Sequence, residues 1–237
     1  MPIQALPGFR DFYPDELAIR SHVFAAMRRV SIRYGFEEYD GPPLEPLELY
    51  TQKSGDEIVG QLYHFIDKGD RAVALRPEMT PTLARMVAPK AAALKKPIRW
   101  FSIPQLFRYE RQQRGRLREH FQLNCDLIGD TGPLGDAEIV ALAIDVMREL
   151  GLGPTDVRVR ISDRRLLTAI LAAMGFDEKQ RPLAFQALDK TGRSEYAARR
   201  EALLEAGVAE ETAARLEMLP SLRTWADIET EFPDAAA

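Results

Sequence analysis

The chain has 237 residues, of which 46% are hydrophobic and 29% charged, the composition of an ordinary soluble globular protein. Its formal net charge of −4 disfavours a protein that coats nucleic acid through charge alone, although a local basic patch stays open. One cysteine, Cys125, excludes an internal disulfide, and three widely spaced histidines predict no structural metal. No secretion signal and no apolar run of the ~18–20 residues that a membrane helix needs is visible, so we expect a cytoplasmic protein without membrane contact.

The N-terminal part predicts a long helix followed by short strands. Apolar residues recur every three or four positions over 17–34, which is typical of an amphipathic helix, and Gly35 ends it. Residues 36–39 predict a short strand before a glycine–proline break. Residues 61–66 and 71–76 predict a hairpin around a glycine-containing turn.

The middle of the chain predicts a mixture of helices and strands. Thr80 is the predicted cap of a helix, with a proline at its first position. Strands are predicted over 98–103, 105–111 and 121–128, and a strong helix over 136–150.

The composition changes after one more predicted strand, residues 157–161. Residues 164–219 are rich in alanine, leucine, glutamate and arginine, and they predict three or four short helices. The tail from residue 231 carries no structural signal. The chain therefore predicts a mixed part followed by a separate helical lobe.

Arginines in a strand-like segment are the first sign of chemistry. Arg108 lies between apolar neighbours, where a cation is costly to desolvate unless an anion meets it. Phosphate suits a guanidinium, which grips it through two hydrogen bonds. Glu110 either orients an arginine or accepts from a purine amino group. An exposed edge strand whose charges discourage aggregation explains the same residues equally well.

Two further clusters carry polar groups that suit an amino acid. Glu78 and Thr80 lie at a strand-to-helix junction and would hold an ammonium group, although simple helix capping explains them too. Gln122, Asn124 and Asp126 share one face of the predicted strand, which is costly unless something polar binds there. Asp126 would accept a hydrogen bond from a ring N–H such as that of imidazole.

Together these segments resemble one family. Residues 107–111, the basic loop after them and the pair Gln122 and Asp126 resemble motif 2 of the class II aminoacyl-tRNA synthetases, and within that class the histidine-specific enzyme. Residues 75–80 resemble its amino-acid-binding segment, and residues 8–43 resemble its N-terminus and motif 1.

The resemblance covers essentially the whole chain and implies its fold. The expected class is α+β, a class II synthetase-like antiparallel sheet flanked by helices, followed by a small all-helical lobe. Residues 1–168 would form the catalytic core with motifs 1 and 2, and residues 169–237 a helical domain like the family's insertion domain.

The resemblance also implies a nucleotide side of the site. Arg108 would bind the α-phosphate of ATP and stabilise charge during adenylate formation, which makes it the implied catalytic residue. Glu110 would meet the adenine amino group and Arg116 the outer phosphates of ATP, which would carry Mg²⁺. Loop 112–118 would approach the acceptor end of tRNA-His, and motif 1 would form a homodimer interface.

On the amino-acid side, Glu78, Thr80 and Gln122 would hold the ammonium group of histidine, and Asp126 would face its imidazole. Many relatives carry the longer glutamate in place of Asp126. Met79 replaces a glycine common in relatives, and the sequence assigns it no effect. These roles require Arg108, Gln122 and Asp126 to face one cavity.

The family's Arg-Gly-Leu-Asp-Tyr-Tyr segment, glycine-rich motif 3 and anticodon-binding domain have no counterpart in this sequence. Adenylate formation depends on positioning and electrostatic stabilisation, so this chain alone is expected to bind ATP or histidine weakly and to charge tRNA inefficiently.

Two other interpretations remain. A non-catalytic paralogue, such as the histidine-sensing regulatory subunit of ATP phosphoribosyltransferase, would also bind histidine. It does not need a set of arginines for ATP phosphates, so Arg108, Glu110, Arg111 and Arg116 favour the ligase. A bare interaction module that uses the helical lobe predicts no binding of small molecules.

Overall fold

The computed structural model describes residues 3–54, 56–109, 115, 117–189, 193–222 and 224–236. Its contacts divide the chain into two compact units, Met1–Val159 and Arg160–Ala237. The functional division into a core of residues 1–168 and an insertion-like domain of residues 169–237 stays a prediction. None of the helices formed by the described residues has the length and apolar character needed to cross a membrane.

The described residues of the first unit form four α-helices: α1 (Pro14–Arg33), α2 (Glu48–Ser54), α3 (Thr80–Val87) and α4 (Pro133–Glu149). The predicted helices over 17–34 and 136–150 are confirmed as α1 and α4. Helix α1 begins with Pro14, whose missing N–H costs nothing in the first turn, and two acidic residues follow it at the positive end of the helix dipole.

In the part of this unit that the structure describes there are eight short strands: β1 (Glu37–Glu38), β2 (Leu44–Pro46), β3 (His64–Ile66), β4 (Ala72–Leu75), β5 (Ile98–Ser102), β6 (Gln105–Phe107), β7 (Glu119–Phe121) and β8 (Asn124–Ile128). They form the ladders β1-β5-β8, β2-β4-β3 and β6-β7. Every pairing is antiparallel except that of β1 with β5. The predicted α+β class is confirmed.

The predicted hairpin is confirmed as β3 and β4. Asp67 closes its turn, because its Oδ1 accepts hydrogen bonds from the amides of Gly69 at 2.8 Å and Arg71 at 3.0 Å. Asp70 adopts a φ of 56°, a left-handed conformation that aspartate tolerates better than most residues.

Strand β5 is buried on both sides. On one face Phe101 packs with Val30 of α1 and with Leu142 of α4. On the other face Ile98 packs with Leu83 of α3. Each side chain of this size contributes roughly 1.5–3 kcal/mol when fully buried, so helices on both faces hold this sheet in place.

The prediction of a continuous strand over 121–128 is wrong, because Gln122 and Leu123 separate β7 from β8. The predicted break between the strands over 98–103 and 105–111 is confirmed, since Pro104 separates β5 from β6, and β6 ends at Phe107. Proline has no N–H to donate to a ladder, and its carbonyl instead accepts from the amide of Gln122 at 3.4 Å. Gln122 is therefore not part of strand β8, which holds Asn124 and Asp126.

The second unit is helical, with α5 (Arg164–Ala173), α6 (Arg181–Asp189), α7 (Arg193–Glu205), α8 (Glu210–Met218), α9 (Trp225–Glu231) and α10 (Pro233–Ala236). Leu171, Leu203 and Leu216 are fully buried in its core. The helices predicted over 164–219 are confirmed, whereas α10 lies in a tail that carried no signal.

The strand predicted over residues 157–161 is wrong. These residues form no ladder with any part of the chain that the structure describes. Val159 is 42% exposed and Ile161 79% exposed, so the alternating apolar side chains face no core. Alternation indicates a strand only where one face is covered.

We predict that G41A destabilises the first unit. A Cβ at residue 41 would overlap Cγ2 of Thr82, which is fully buried and donates to Glu45 Oε1 at 3.1 Å. Overpacking of this kind costs roughly 1–3 kcal/mol, measurable by urea denaturation. The control is G153A, whose Cβ would meet its nearest atom at 3.7 Å. Equal stability of the two variants would contradict the prediction.

We predict that the cap of α5 depends on pH. Asp163 accepts from the amides of Arg165 and Leu166, and its hydrogen bond with the Arg165 side chain, together with these amides, lowers its pKa to about 2. A lowered pKa means that the stabilisation is complete above the unfolded-state value and is lost as pH falls through about 2. D163A should therefore have a lower melting temperature than the parent chain at pH 7, and the difference between the two melting temperatures should narrow below pH ~4. A gap that is constant with pH would show that the carboxylate charge plays no part.

Candidate functional site

Arg108 lies just beyond the end of β6, in a backbone fixed by hydrogen bonds to three other segments. Three consecutive amides donate to carbonyls at 2.9 Å: Phe107 to Arg76, Arg108 to Arg118, and Tyr109 to Gln61. The Arg108 side chain is half-buried, and its Nε donates to the carbonyl of Pro77 at 3.2 Å. The guanidinium is therefore held by the fold rather than extended into solvent.

A cavity of about 170 Å³ lies beside this guanidinium, lined by Gln61, Pro77, Glu78 and Arg108. It brings a cation from the end of β6 together with a carboxylate from the segment before α3. The terminal nitrogens of Arg108 make no hydrogen bond to a residue that the structure describes. Drug-sized ligands need roughly 300–1,000 Å³, so this cavity suits one charged group of a ligand rather than a whole nucleotide.

The junction before α3 differs from the predicted cap. The helix begins at Thr80, and the capping position belongs to Met79, which makes no side-chain cap. The prediction that Thr80 caps the helix is therefore wrong, and Thr80 itself is exposed. Met79, which the sequence left without a role, is buried with its Sδ 3.7 Å from Arg76 Nη1.

Asp126 lies in the middle of β8, opposite Trp100 of β5. With Asn124 and Cys125 it lines a second cavity of about 380 Å³, whose remaining walls are apolar side chains, chiefly from α1 and α4. Burial raises the pKa of Asp126. The described residues supply no hydrogen bond to this carboxylate, so its charge is poorly compensated.

Two hydroxyls that the sequence did not single out share the sheet face of Asp126. Ser102 pairs with Asn124 across the β5–β8 ladder, and the Tyr39 ring lies 5.6 Å from that of Trp100. The Ser102 and Tyr39 hydroxyls are buried and complete no hydrogen bond of good geometry within the described part of the chain. Burial raises the pKa of Tyr39 to about 12, while the neighbouring Ser102 lowers it slightly. In the sequence, the signal that could have indicated this polar group was a serine, Ser102, at the end of the apolar run of β5.

The structure brings together only part of the predicted site. Arg108 and Glu78 line one cavity, Asp126 lines another, and Thr80 and Gln122 line neither. Neither of these two cavities is lined by Arg108, Gln122 and Asp126 together, so their shared cavity stays a prediction. Arg108 follows β6 of the β6-β7 ladder, whereas Asp126 lies in the separate β5-β8 ladder. Glu110, Arg116 and most of loop 112–118 lie outside the described residues.

Comparisons of sequence place this site in a known context. A family model described as histidyl-tRNA synthetase matches residues 8–231. The histidine–tRNA ligase of Opitutus terrae is 54% identical over 187 residues, which cover 79% of this chain and 43% of that protein. The histidine–tRNA ligase of Haloarcula marismortui is 45% identical over 204 residues, which cover 86% of this chain and 47% of that protein. The chain thus spans less than half the length of these two relatives.

Comparisons of structure give the fold. A Bacillus halodurans protein described as an ATP phosphoribosyltransferase regulatory subunit/histidyl-tRNA synthetase matches with a TM-score of 0.78 and 24% identity, covering 96% of this chain and 58% of that one. The histidyl-tRNA synthetase from Nostoc sp. PCC 7120 matches with a TM-score of 0.71 and 24% identity, covering 86% and 48%. At this identity the two structures show the fold alone, and they confirm the predicted class II architecture.

We predict that D126N stabilises the free chain at neutral pH. Because burial raises the pKa of Asp126, the ionised form is disfavoured in the folded state, and the cost is complete above that raised pKa. The cost disappears as pH falls below the ordinary value near 3.8. The melting temperature of D126N should exceed that of the parent chain at pH 7, and the two should converge toward pH 4. A D126N variant that melts below the parent chain at pH 7 would contradict this.

Proposed function

We propose that this chain, which belongs to the histidyl-tRNA synthetase family, supplies part of the site where histidine and ATP form histidyl-adenylate before transfer to tRNA-His. One observation carries the proposal: the Arg108 guanidinium and Glu78 line the same small cavity. Adenylate formation needs a cation for a phosphate and an anion for the amino acid's ammonium group at adjacent positions. Sequence identity of up to 54% with histidine–tRNA ligases supports the same reaction.

In the proposed reaction a carboxylate oxygen of histidine attacks the α-phosphorus of ATP, bound as its Mg²⁺ complex, and pyrophosphate leaves. Arg108 would meet the non-bridging oxygens of the α-phosphate and stabilise the charge that grows on them. Its attachment to the Pro77 carbonyl fixes the guanidinium before the substrate arrives, which limits the reorganisation needed. Glu110 and Arg116 are proposed to bind adenine and the outer phosphates.

For histidine, Glu78 is the proposed partner of the ammonium group, with Thr80 and Gln122 beside it. Asp126 is proposed to accept from an imidazole N–H. Its burial supports this role, because a bound N–H would offset the cost of the ionised carboxylate.

The remaining partners are proposed from the family. Loop 112–118 would contact the acceptor end of tRNA-His. A homodimer would form through motif 1, and large apolar side chains that stay exposed there support it: Ile19, Ile32 and Leu44. The cytoplasmic location stays a prediction.

The regulatory paralogue is the alternative to a ligase. Both bind histidine, but only the ligase needs Arg108 for the phosphates of ATP. The dependence of ATP affinity on Arg108 therefore separates the two even if this chain alone turns over slowly.

We predict that E78Q and R108A affect different ligands. Loss of a charged hydrogen bond costs roughly 1.5–3 kcal/mol, or about 10–150-fold in affinity. By calorimetry E78Q should weaken histidine binding by that factor, and R108A should weaken Mg²⁺–ATP binding while leaving histidine within about threefold. D126N should also lose histidine affinity, although it is expected to be the more stable protein.

The matched control is R28A, because Arg28 is exposed and pairs with Glu38 away from the cavity. A parent chain that binds neither histidine nor ATP would refute the proposed function. Histidine binding with ATP affinity unchanged in R108A would favour the regulatory paralogue.

A further inference from the structure

A line of polar contacts runs through the first unit next to the candidate cavity. Arg10 Nε lies 2.8 Å from Glu119 Oε1, and Gln105 Nε2 donates to the other oxygen of the same carboxylate. The Gln105 carbonyl accepts from Arg76 Nε at 3.0 Å, and Arg76 Nη1 donates to Asp40 Oδ1 at 2.7 Å. Glu119 and Arg76 are buried, whereas the terminal members Arg10 and Asp40 are exposed.

Arg76 is the junction of this line. Its Nη1 also donates to the carbonyl of Gly41 at 2.7 Å, and its own amide donates to the carbonyl of Pro43 at 2.9 Å. Its carbonyl accepts from the amide of Phe107 at 2.9 Å. One residue therefore connects the loop between β1 and β2, the end of β4 and the end of β6.

A buried cation is a costly way to connect three segments. An apolar side chain would bury at no electrostatic cost, whereas Arg76 needs every one of its acceptors to offset desolvation. The acceptors lie in different directions, which suits the planar fork of a guanidinium. The ammonium of lysine presents its donors from one atom and does not reproduce that fork.

Arg76 is connected to the residues on both sides of the cavity. Pro77 and Glu78 follow it directly in the chain, and Arg108 follows Phe107, whose amide is bound to the Arg76 carbonyl. The Arg108 side chain in turn donates to the Pro77 carbonyl, and this hydrogen bond links the two sides of the cavity. We propose that Arg76 is a positioning residue, which holds Glu78 and Arg108 opposite each other without touching a substrate. The consequence for histidine and ATP rests on the proposed function.

The test compares R76K with R99K in the full chain. Arg99 is a matched control, because its guanidinium also connects separate segments, donating to Glu138 of α4 and to the carbonyl of Tyr34, but it lies away from the cavity. Both variants should lower the melting temperature. Only R76K should weaken histidine and Mg²⁺–ATP binding, by about tenfold or more, because charged groups off by an ångström lose much of their interaction. R99K should stay within about twofold. Unchanged affinity in R76K, or equal losses in both variants, would overturn the proposal.

A second measurement does not depend on any ligand. The Nε–H of Arg108 donates to the Pro77 carbonyl, so its NMR signal and its exchange with solvent report directly on this hydrogen bond. R76K should shift this signal and speed its exchange, and R99K should leave both unchanged. If the parent chain binds neither histidine nor ATP, the proposed function fails while this measurement still decides the role of Arg76.

A third variant covers the case in which R76K does not fold. D40N removes only the charge of the exposed partner of Arg76. It should fold and still shift the Arg108 Nε–H signal, by less than R76K would. An Arg108 signal identical to that of the parent chain in D40N would overturn the proposal.

Discussion

Strand β5 can exist only because apolar side chains cover both of its faces. Helices α1 and α4 pack on one face and α3 packs on the other, so Ile98, Phe101 and Ser102 of this strand are buried. Each polar group on it or on its neighbours then has to find a partner inside the protein. Burial of the sheet against these helices therefore makes each unpaired polar group beside it costly in folding free energy.

Several groups near the candidate site do not find such a partner among the described residues. The hydroxyls of Tyr39 and Ser102 complete no hydrogen bond of good geometry, and burial raises the pKa of Asp126, which disfavours its ionised form. A sequence selected only for stability would replace them with apolar side chains. Their retention fits a site that gives up part of the folding free energy so that a polar ligand can supply the missing partners.

Elements set by local sequence were the predictable ones. Helices α1 and α4 follow from apolar spacing, and the β3–β4 turn follows from Asp67 and Gly69, because those signals lie within a few residues of one another. The errors arose where distant residues decide. Residues 157–161 alternate like a strand, yet the structure gives them no partner in the part of the chain that it describes. The strand predicted over 121–128 is divided at Gln122 and Leu123, because β7 pairs with β6 and β8 pairs with β5.

The site was predictable to the same degree. Arg108 and Glu78, which the sequence singled out, line one cavity, but the contacts of buried Arg76 depend on acceptors at residues 40, 41 and 105, which no local pattern connects to it. Cys125 has one further consequence. It is the sole thiol of the chain, it lies against Ser31 of α1, and burial raises its pKa, which keeps it as an unreactive thiol. Because Cys125 is only partly buried and lines the cavity of about 380 Å³ beside Asp126, slow labelling by a small thiol reagent would report access to that cavity without any engineered cysteine.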